Sequence, residues 1–183
     1  MILYIDTAFD ETILAVKKDE KIFVEKISKN INISQTLIEK TRYIFDKIGK
    51  EKQDIEVIGF NNGPGNFTSL RVALAYIKAI SYYLKIPVVP LNSFQVLALS
   101  IVKPDHNSNT IIAVDARMNE IYWARYKNYS EISARIVLKF PSEVVQEIAP
   151  DITPKINPET APKIVTETES VHKTVLNRLS HVI

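Results

Sequence analysis

Asn61-Asn62-Gly63-Pro64-Gly65-Asn66-Phe67-Thr68-Ser69-Leu70-Arg71 is the stretch on which the reading of this chain turns. Only four glycines occur in 183 residues, and three of them, Gly59, Gly63 and Gly65, fall within seven positions here. The stretch follows Ile55-Glu56-Val57-Ile58-Gly59-Phe60, which reads as a short strand, and precedes an apolar-periodic segment starting near Thr68. A glycine turn between a strand and a helix N-terminus can cradle an anion, because the first helical N–H groups have no internal partner. The same geometry is also simply how a strand turns sharply into a helix. Both readings stand until the rest of the chain is considered.

Upstream, residues 2–6 and 12–17 read as two strands joined by a polar turn, and Ile22 to Ile27 as a third, with Lys17 to Lys21 as the hairpin connection. Ser34 has the chemistry of a helix N-cap. After it Leu37, Thr41, Ile44 and Ile48 recur on one face, Ile38 and Phe45 broaden the stripe, and Gly49 fits the stop. Downstream, a helix is expected from about Thr68 to Leu84, with Leu70, Ala73, Leu74, Ile77, Ile80 and Leu84 on a broad apolar face. Pro87 and Pro90 bracket a very short edge strand, Val88-Val89, and a third helix spans roughly Ser93 to Val102. Lys103-Pro104-Asp105-His106-Asn107-Ser108-Asn109 is the clearest boundary, dividing an expected lobe at 1–104 from one at 105–183. Strands near 110–115, 120–126 and 134–140 follow, then a short helix from Pro141 to about Ile148. Five of the nine prolines lie at 141–162, so an irregular stretch is expected before a final helix near 170–180.

The boundary exposes an internal echo. Ile5-Asp6-Thr7-Ala8-Phe9-Asp10-Glu11-Thr12-Ile13-Leu14-Ala15 matches Val114-Asp115-Ala116-Arg117-Met118-Asn119-Glu120-Ile121-Tyr122-Trp123-Ala124 at a constant offset, Asp6 falling on Asp115. Each copy is an apolar strand ending in Asp, an exposed turn and a second apolar strand, which points to two related lobes. A β-β-β-α-β-α lobe, repeated in reduced form, is the architecture of the α/β actin-like fold of sugar kinases and heat-shock ATPases (the ASKHA superfamily).

Composition narrows the function. Hydrophobic residues make up 46% of the chain, enough for a packed core, and a formal net charge of +2 gives no sign of an independent nucleic-acid grip. No apolar run approaches a membrane span, the opening strand has no basic region or cleavable signal, and there are no cysteines, which together fit the cytosol. Asp6 is the strongest candidate acid, at the strand end where actin-like ATPases keep a carboxylate near magnesium; an Asp there equally caps a turn. The turns after Asp6 and Asp115 lack glycine, and Asp10 and Glu11 would repel a triphosphate. The glycine loop lacks the Gly-Lys-Ser/Thr ending of a P-loop. His106, His172 and His181 form no metal-binding spacing, and neither a serine-hydrolase elbow nor paired carboxylates occur. Arg71 can clamp a partner carboxylate or a phosphate, or make a structural salt bridge, and Phe67 is an exposed anchor or a core residue. Tyr122 and Trp123, adjacent on a strand, point to opposite faces. The chain reads as an actin-like fold with its chemistry missing, which suggests a scaffold.

Four stretches resemble the bacterial TsaB family, also called YeaZ: Ile5-Asp6-Thr7-Ala8, Asn62 to Arg71, Ile86-Pro87-Val88-Val89, and Ala113 to Ala124. The resemblance covers about residues 1–145. Ser69 and Asn66 depart from the usual glycine and serine, and Ile33-Ser34 stands where many members have His-Ser. The chain is shorter than most members, which suggests a trimmed second lobe. The resemblance implies a non-catalytic subunit required for threonylcarbamoylation of the adenosine next to the anticodon in tRNAs reading codons that begin with A. It implies binding to a TsaD-type transferase, joined by a TsaE-type P-loop ATPase, with tRNA reached only through the complex. No cofactor of its own is implied; ATP and a divalent metal belong to the partners. Carried over, the partner interface lies on the helices at about 34–48 and 68–84, with Leu37, Thr41, Tyr43, Ile44, Phe45, Phe67, Arg71, Leu74, Ile77 and Lys78 as candidates, and the same face forms a homodimer when the partner is absent. The competing reading is a degenerate but active actin-like kinase or ATPase using Asp6 and Asp115.

Overall fold

Strand β1 (Ile2–Asp6) buries every side chain, which requires layers on both faces of its sheet. A computed structural model describes residues 1–28, 32–101, 109–117, 120–127 and 130–137. These fall into two compact units, one within Met1–Ser100 and one within Ile101–Glu167.

In the first unit β1 is central to a five-stranded sheet of order β3-β2-β1-β4-β5. Strands β2 (Thr12–Lys18) and β3 (Lys21–Ile27) extend it antiparallel on one side; β4 (Val57–Asn61) and β5 (Val88–Leu91) extend it parallel on the other. Strand period two then sorts the core. Leu3, Ile5, Leu14, Val16, Ile58 and Phe60 pack with side chains of helices α1 (Ile33–Ile48) and α2 (Phe67–Leu84). Ile2, Tyr4, Ile13, Ala15 and Val57 form a second cluster with Val96 of α3 (Ser93–Ile101). Fully burying a Leu or Ile side chain contributes about 2 kcal/mol, so the two clusters are the main source of stability of this unit.

The β-β-β-α-β-α order expected for the first lobe is present, followed by β5 and α3. Local chemistry moves some boundaries. Asn32, not Ser34, caps α1: its Oδ1 accepts from the Ser34 amide (3.2 Å) and the Ser34 hydroxyl (2.7 Å), so Ser34 lies inside the helix as a donor. Gly49 ends α1 with φ 62, as expected. A single 3-10 turn (Lys52–Asp54) takes up the approach to β4, so the strand expected at 55–60 starts at Val57 and runs to Asn61. Asn66 caps α2 by accepting from Ser69 N (3.2 Å), and the helix starts at Phe67. β5 continues through Pro90, tolerated because the strand lies at the sheet edge.

The second unit holds an antiparallel sheet, β6 (Asn109–Arg117), β7 (Glu120–Lys127) and β8 (Ser130–Val137), in that order. β8 begins several residues before the expected 134. The echo reappears as a hairpin in each unit, but its register differs by one residue. Ile5 faces Leu14 in β1–β2, whereas Val114 faces Tyr122 rather than Trp123 in β6–β7, with an irregularity between Asp115 and Arg117. Trp123 is buried and Tyr122 half-buried, as adjacent strand positions require. The expected helices at 141–148 and 170–180, the proline-rich stretch and the three histidines lie outside the described residues.

The cap assignment predicts that Asn32→Ala lowers stability by about 1 kcal/mol, and Ser34→Ala by less, in urea unfolding followed by circular dichroism.

Candidate functional site

Asp6 ends β1 fully buried, and protein donors surround its carboxylate. Oδ1 accepts from the Ala8 amide (3.0 Å); Oδ2 accepts from Asn61 Nδ2 (3.0 Å) and the Tyr4 hydroxyl (3.2 Å). Asn61 continues the network by accepting from Gly63 N (2.9 Å). The Ser93 hydroxyl, at the start of α3, lies 2.6 Å from Pro64 O and 3.0 Å from Asn61 Oδ1, and its single proton serves one of them at a time. Ser93 N donates to Gly63 O (2.9 Å), and Asn66 N to Ala8 O (2.7 Å). The loop thereby ties β4, α2 and α3 to the end of β1.

Two glycines make this closure fit. Gly63, joined to Pro64 by a cis peptide bond, has φ 96, a conformation side chains resist. Gly65 lies against Ala8, where an added Cβ would stand 2.3 Å from Ala8 O. The run therefore packs directly on the Thr7-Ala8 turn, where an anion between strand and helix would need room. Asp6 acts as a structural acceptor here. The side chain of Asp115 is outside the described residues. Among the described residues, no group of three His, Cys, Asp or Glu side chains is placed to hold a metal ion.

The second candidate is the outer surface of α1 and α2. Leu37, Thr41, Ile44, Phe45 and Ile77 are buried in the unit's own core, with Thr41 Oγ1 donating to Leu37 O (2.7 Å). Helical period turns these five toward the sheet. Tyr43 is half exposed but engaged: Lys40 and Lys47 Nζ stand 5.2 and 5.7 Å from its ring centre, and both lysines reach Glu25 of β3 (3.5 and 3.8 Å). Phe67, Arg71, Leu74 and Lys78 do point outward. They form one stripe with Tyr82, spaced by three and four residues along α2. Phe67 is 70% exposed with the Arg71 guanidinium 5.3 Å from its ring centre, and Tyr82 is 88% exposed.

Tyr82, Tyr83 and Ile38 are exposed large hydrophobics absent from the sequence-based candidates. The signal was available, since positions 82 and 83 fall off the buried stripe of Ala73, Ile77 and Ile80. Between the helices, Tyr76 turns toward Thr41 without closing a hydrogen bond. Burial pushes its phenol above the ordinary value, and the Thr41 hydroxyl offsets this only in part.

Comparison with known proteins fits this geometry. The family profile for TsaD, tRNA N6-adenosine threonylcarbamoyltransferase, matches residues 28–161. The chain is 27% identical over 128 residues to the tRNA threonylcarbamoyladenosine biosynthesis protein TsaB of Buchnera aphidicola (from Acyrthosiphon pisum), covering 69% of this chain and 57% of that protein. It thus spans little more than half of that relative's length. Among solved structures, an uncharacterized Pseudomonas aeruginosa protein with similarity to peptidase YeaZ superposes with a TM-score of 0.66 at 23% identity, over 77% of this chain and 67% of that one. YeaZ from Pseudomonas aeruginosa gives 0.64 at 24% identity, over 74% and 66%. The chain belongs to the family of that profile and, within it, to the TsaB/YeaZ group.

The network predicts that Asp6→Ala, which strands three buried donors, lowers stability by about 3 kcal/mol in urea unfolding. Gly65→Ala is expected to cost about as much through overpacking against Ala8. Glu11→Ala, which loses only a half-exposed pair with Lys26, is expected to cost less than about 1 kcal/mol.

Proposed function

We propose that this chain is a non-catalytic scaffold subunit of the tRNA-modifying machinery. Its role is to bind and support a TsaD-type transferase that threonylcarbamoylates the adenosine next to the anticodon in tRNAs reading codons that begin with A. The observation that carries this reading is the outward face of α2. It presents Phe67, Leu74 and Tyr82 on a helix whose opposite face is packed into the sheet. Exposed aromatics beside arginine are the composition of interface anchors, and a helix serving only its own core needs no such face. Membership of the TsaB/YeaZ group supplies the kind of partner.

The saturated Asp6 carboxylate and the glycine loop packed on Thr7-Ala8 support the non-catalytic half of the reading. In this proposal residues 1–104 form an actin-like lobe that carries the interface, and residues 105–183 a reduced second lobe. The order of elements around β1 and the recurrence of the hairpin at β6–β7 support that division. ATP and a divalent metal belong to the transferase and to a TsaE-type ATPase, and the work is cytoplasmic. Among the described residues, no helix is long and apolar enough to cross a membrane.

The test is size-exclusion chromatography with light scattering on this chain mixed with the TsaD-type transferase of the same organism, alongside a tRNA modification assay. A stable complex that modifies tRNA, with no activity from this chain alone, is expected. Phe67→Asp and Leu74→Asp should each weaken the complex about 30-fold or more while leaving the circular dichroism melt unchanged. Failure to form a complex, together with magnesium-dependent nucleotide binding by the isolated chain, would replace the scaffold with the kinase or ATPase reading.

A further inference from the structure

Asn62-Gly63 is the only asparagine–glycine pair in the chain. Asparagine is chemically labile, and most so before glycine, which has no side chain to keep its nitrogen away from the asparagine amide. The Gly63 nitrogen, once it has given its proton to base, can attack Cγ of Asn62. A bond forms between that nitrogen and Cγ, the bond from Cγ to Nδ2 breaks, and the amide group leaves as ammonia. Water then opens the five-membered imide at either carbonyl. Opening at Cγ leaves aspartate; opening at the main-chain carbonyl leaves isoaspartate, with the backbone rerouted through the side chain.

Asn62 is exposed, so base and water reach it freely. The attacking nitrogen, however, is held. Gly63 N donates to Asn61 Oδ1 (2.9 Å), and buried Asn61 is itself tied through Nδ2 to the Asp6 carboxylate (3.0 Å). On either side, Asn62 N donates to Leu91 O (2.9 Å) and Ser93 N to Gly63 O (2.9 Å). Attack requires the Gly63 amide to lose its proton and turn toward Cγ of Asn62, and these hydrogen bonds must first be given up. We propose that Asn62-Gly63 is a latent modification site, shielded while Asn61 holds the Gly63 amide and converted to aspartate and isoaspartate once that hold is released.

The site lies where the change does most harm. Isoaspartate adds one methylene to the main chain between Asn62 N, fixed to β5, and Gly63 N, fixed to Asn61. The two anchors cannot both keep their places, and the glycine run loses its close seat on Ala8. Because ammonia is lost, refolding does not restore the original chain. A brief opening of the loop thus becomes a permanent break in the joint between β4 and α2, and the Asp6 network sets how long that takes.

Incubating the full chain at mildly alkaline pH, folded and in urea, and mapping its peptides by isoaspartate-resolving mass spectrometry tests this. In urea, Asn62 is expected to convert before every other asparagine; in the folded chain its conversion should be at least about tenfold slower. That slowing should match, within a factor of about three, the slowing of hydrogen exchange at the Gly63 amide, since both report the same opening. Asn61→Ala, provided it folds by circular dichroism, should speed conversion at least about tenfold in the folded state. If it does not fold, the exchange comparison on the native chain decides alone. The isoaspartyl product, separated by its added negative charge, should melt at a lower temperature than the native chain, and Asn62→Gln should block its formation. Equal rates folded and in urea, another asparagine reacting first in urea, or an isoaspartyl product as stable as the native chain overturns the proposal.

Discussion

The carboxylate of Asp6 holds together the part of the molecule on which everything else is mounted. It sits at the end of a strand buried on both faces, where an ion left without partners would be too costly to keep. Ala8, Tyr4 and Asn61 supply the donors, and Asn61 in turn fixes Gly63. Asn66, a few residues on, donates its amide to Ala8 O and caps α2 with its side chain. The direction in which α2 leaves the sheet, and so the orientation of its outward face, follows from this chain of contacts. Asp6, Asn61, Gly63 and Asn66 together form a joint between strand and helix.

That economy relates the two candidate sites. A loop open enough to admit a phosphate would need the Thr7-Ala8 turn and the glycine run to stand apart, as they do not. A loop packed against the turn gives α2 a firm base. The closed loop and the outward stripe thus meet on one helix, the first at its Asn66 cap and the second running from Phe67 to Tyr82.

Much of this fold is legible in the sequence because its signals are local. The short apolar run at Ile2–Ile5, the glycine stop at Gly49 and the periodicity of α2 each depend on residues within a few positions of one another. The cap at Asn32 was obscured because Ser34, two residues on, has the same chemistry and only geometry shows which one accepts. The one-residue register difference between the two hairpins is invisible to a match that aligns side chains without gaps. The faces of α1 and α2 are less legible for a related reason. A broad apolar stripe does not reveal which edge of it the sheet covers, and Leu37, Ile44, Phe45 and Ile77 lay on the covered side.

The anchoring of α2 also bears on how the proposed association would proceed in time. Its first turn is pinned through Asn66, and its inner face through Ala73, Ile77 and Ile80, so the helix has little freedom to adjust its course when it meets another surface. Rigid docking of this kind loses little conformational entropy but demands correct orientation at encounter. Complexes formed this way differ from one another mainly in residence time, so changes along the outward face are read out chiefly as faster or slower departure.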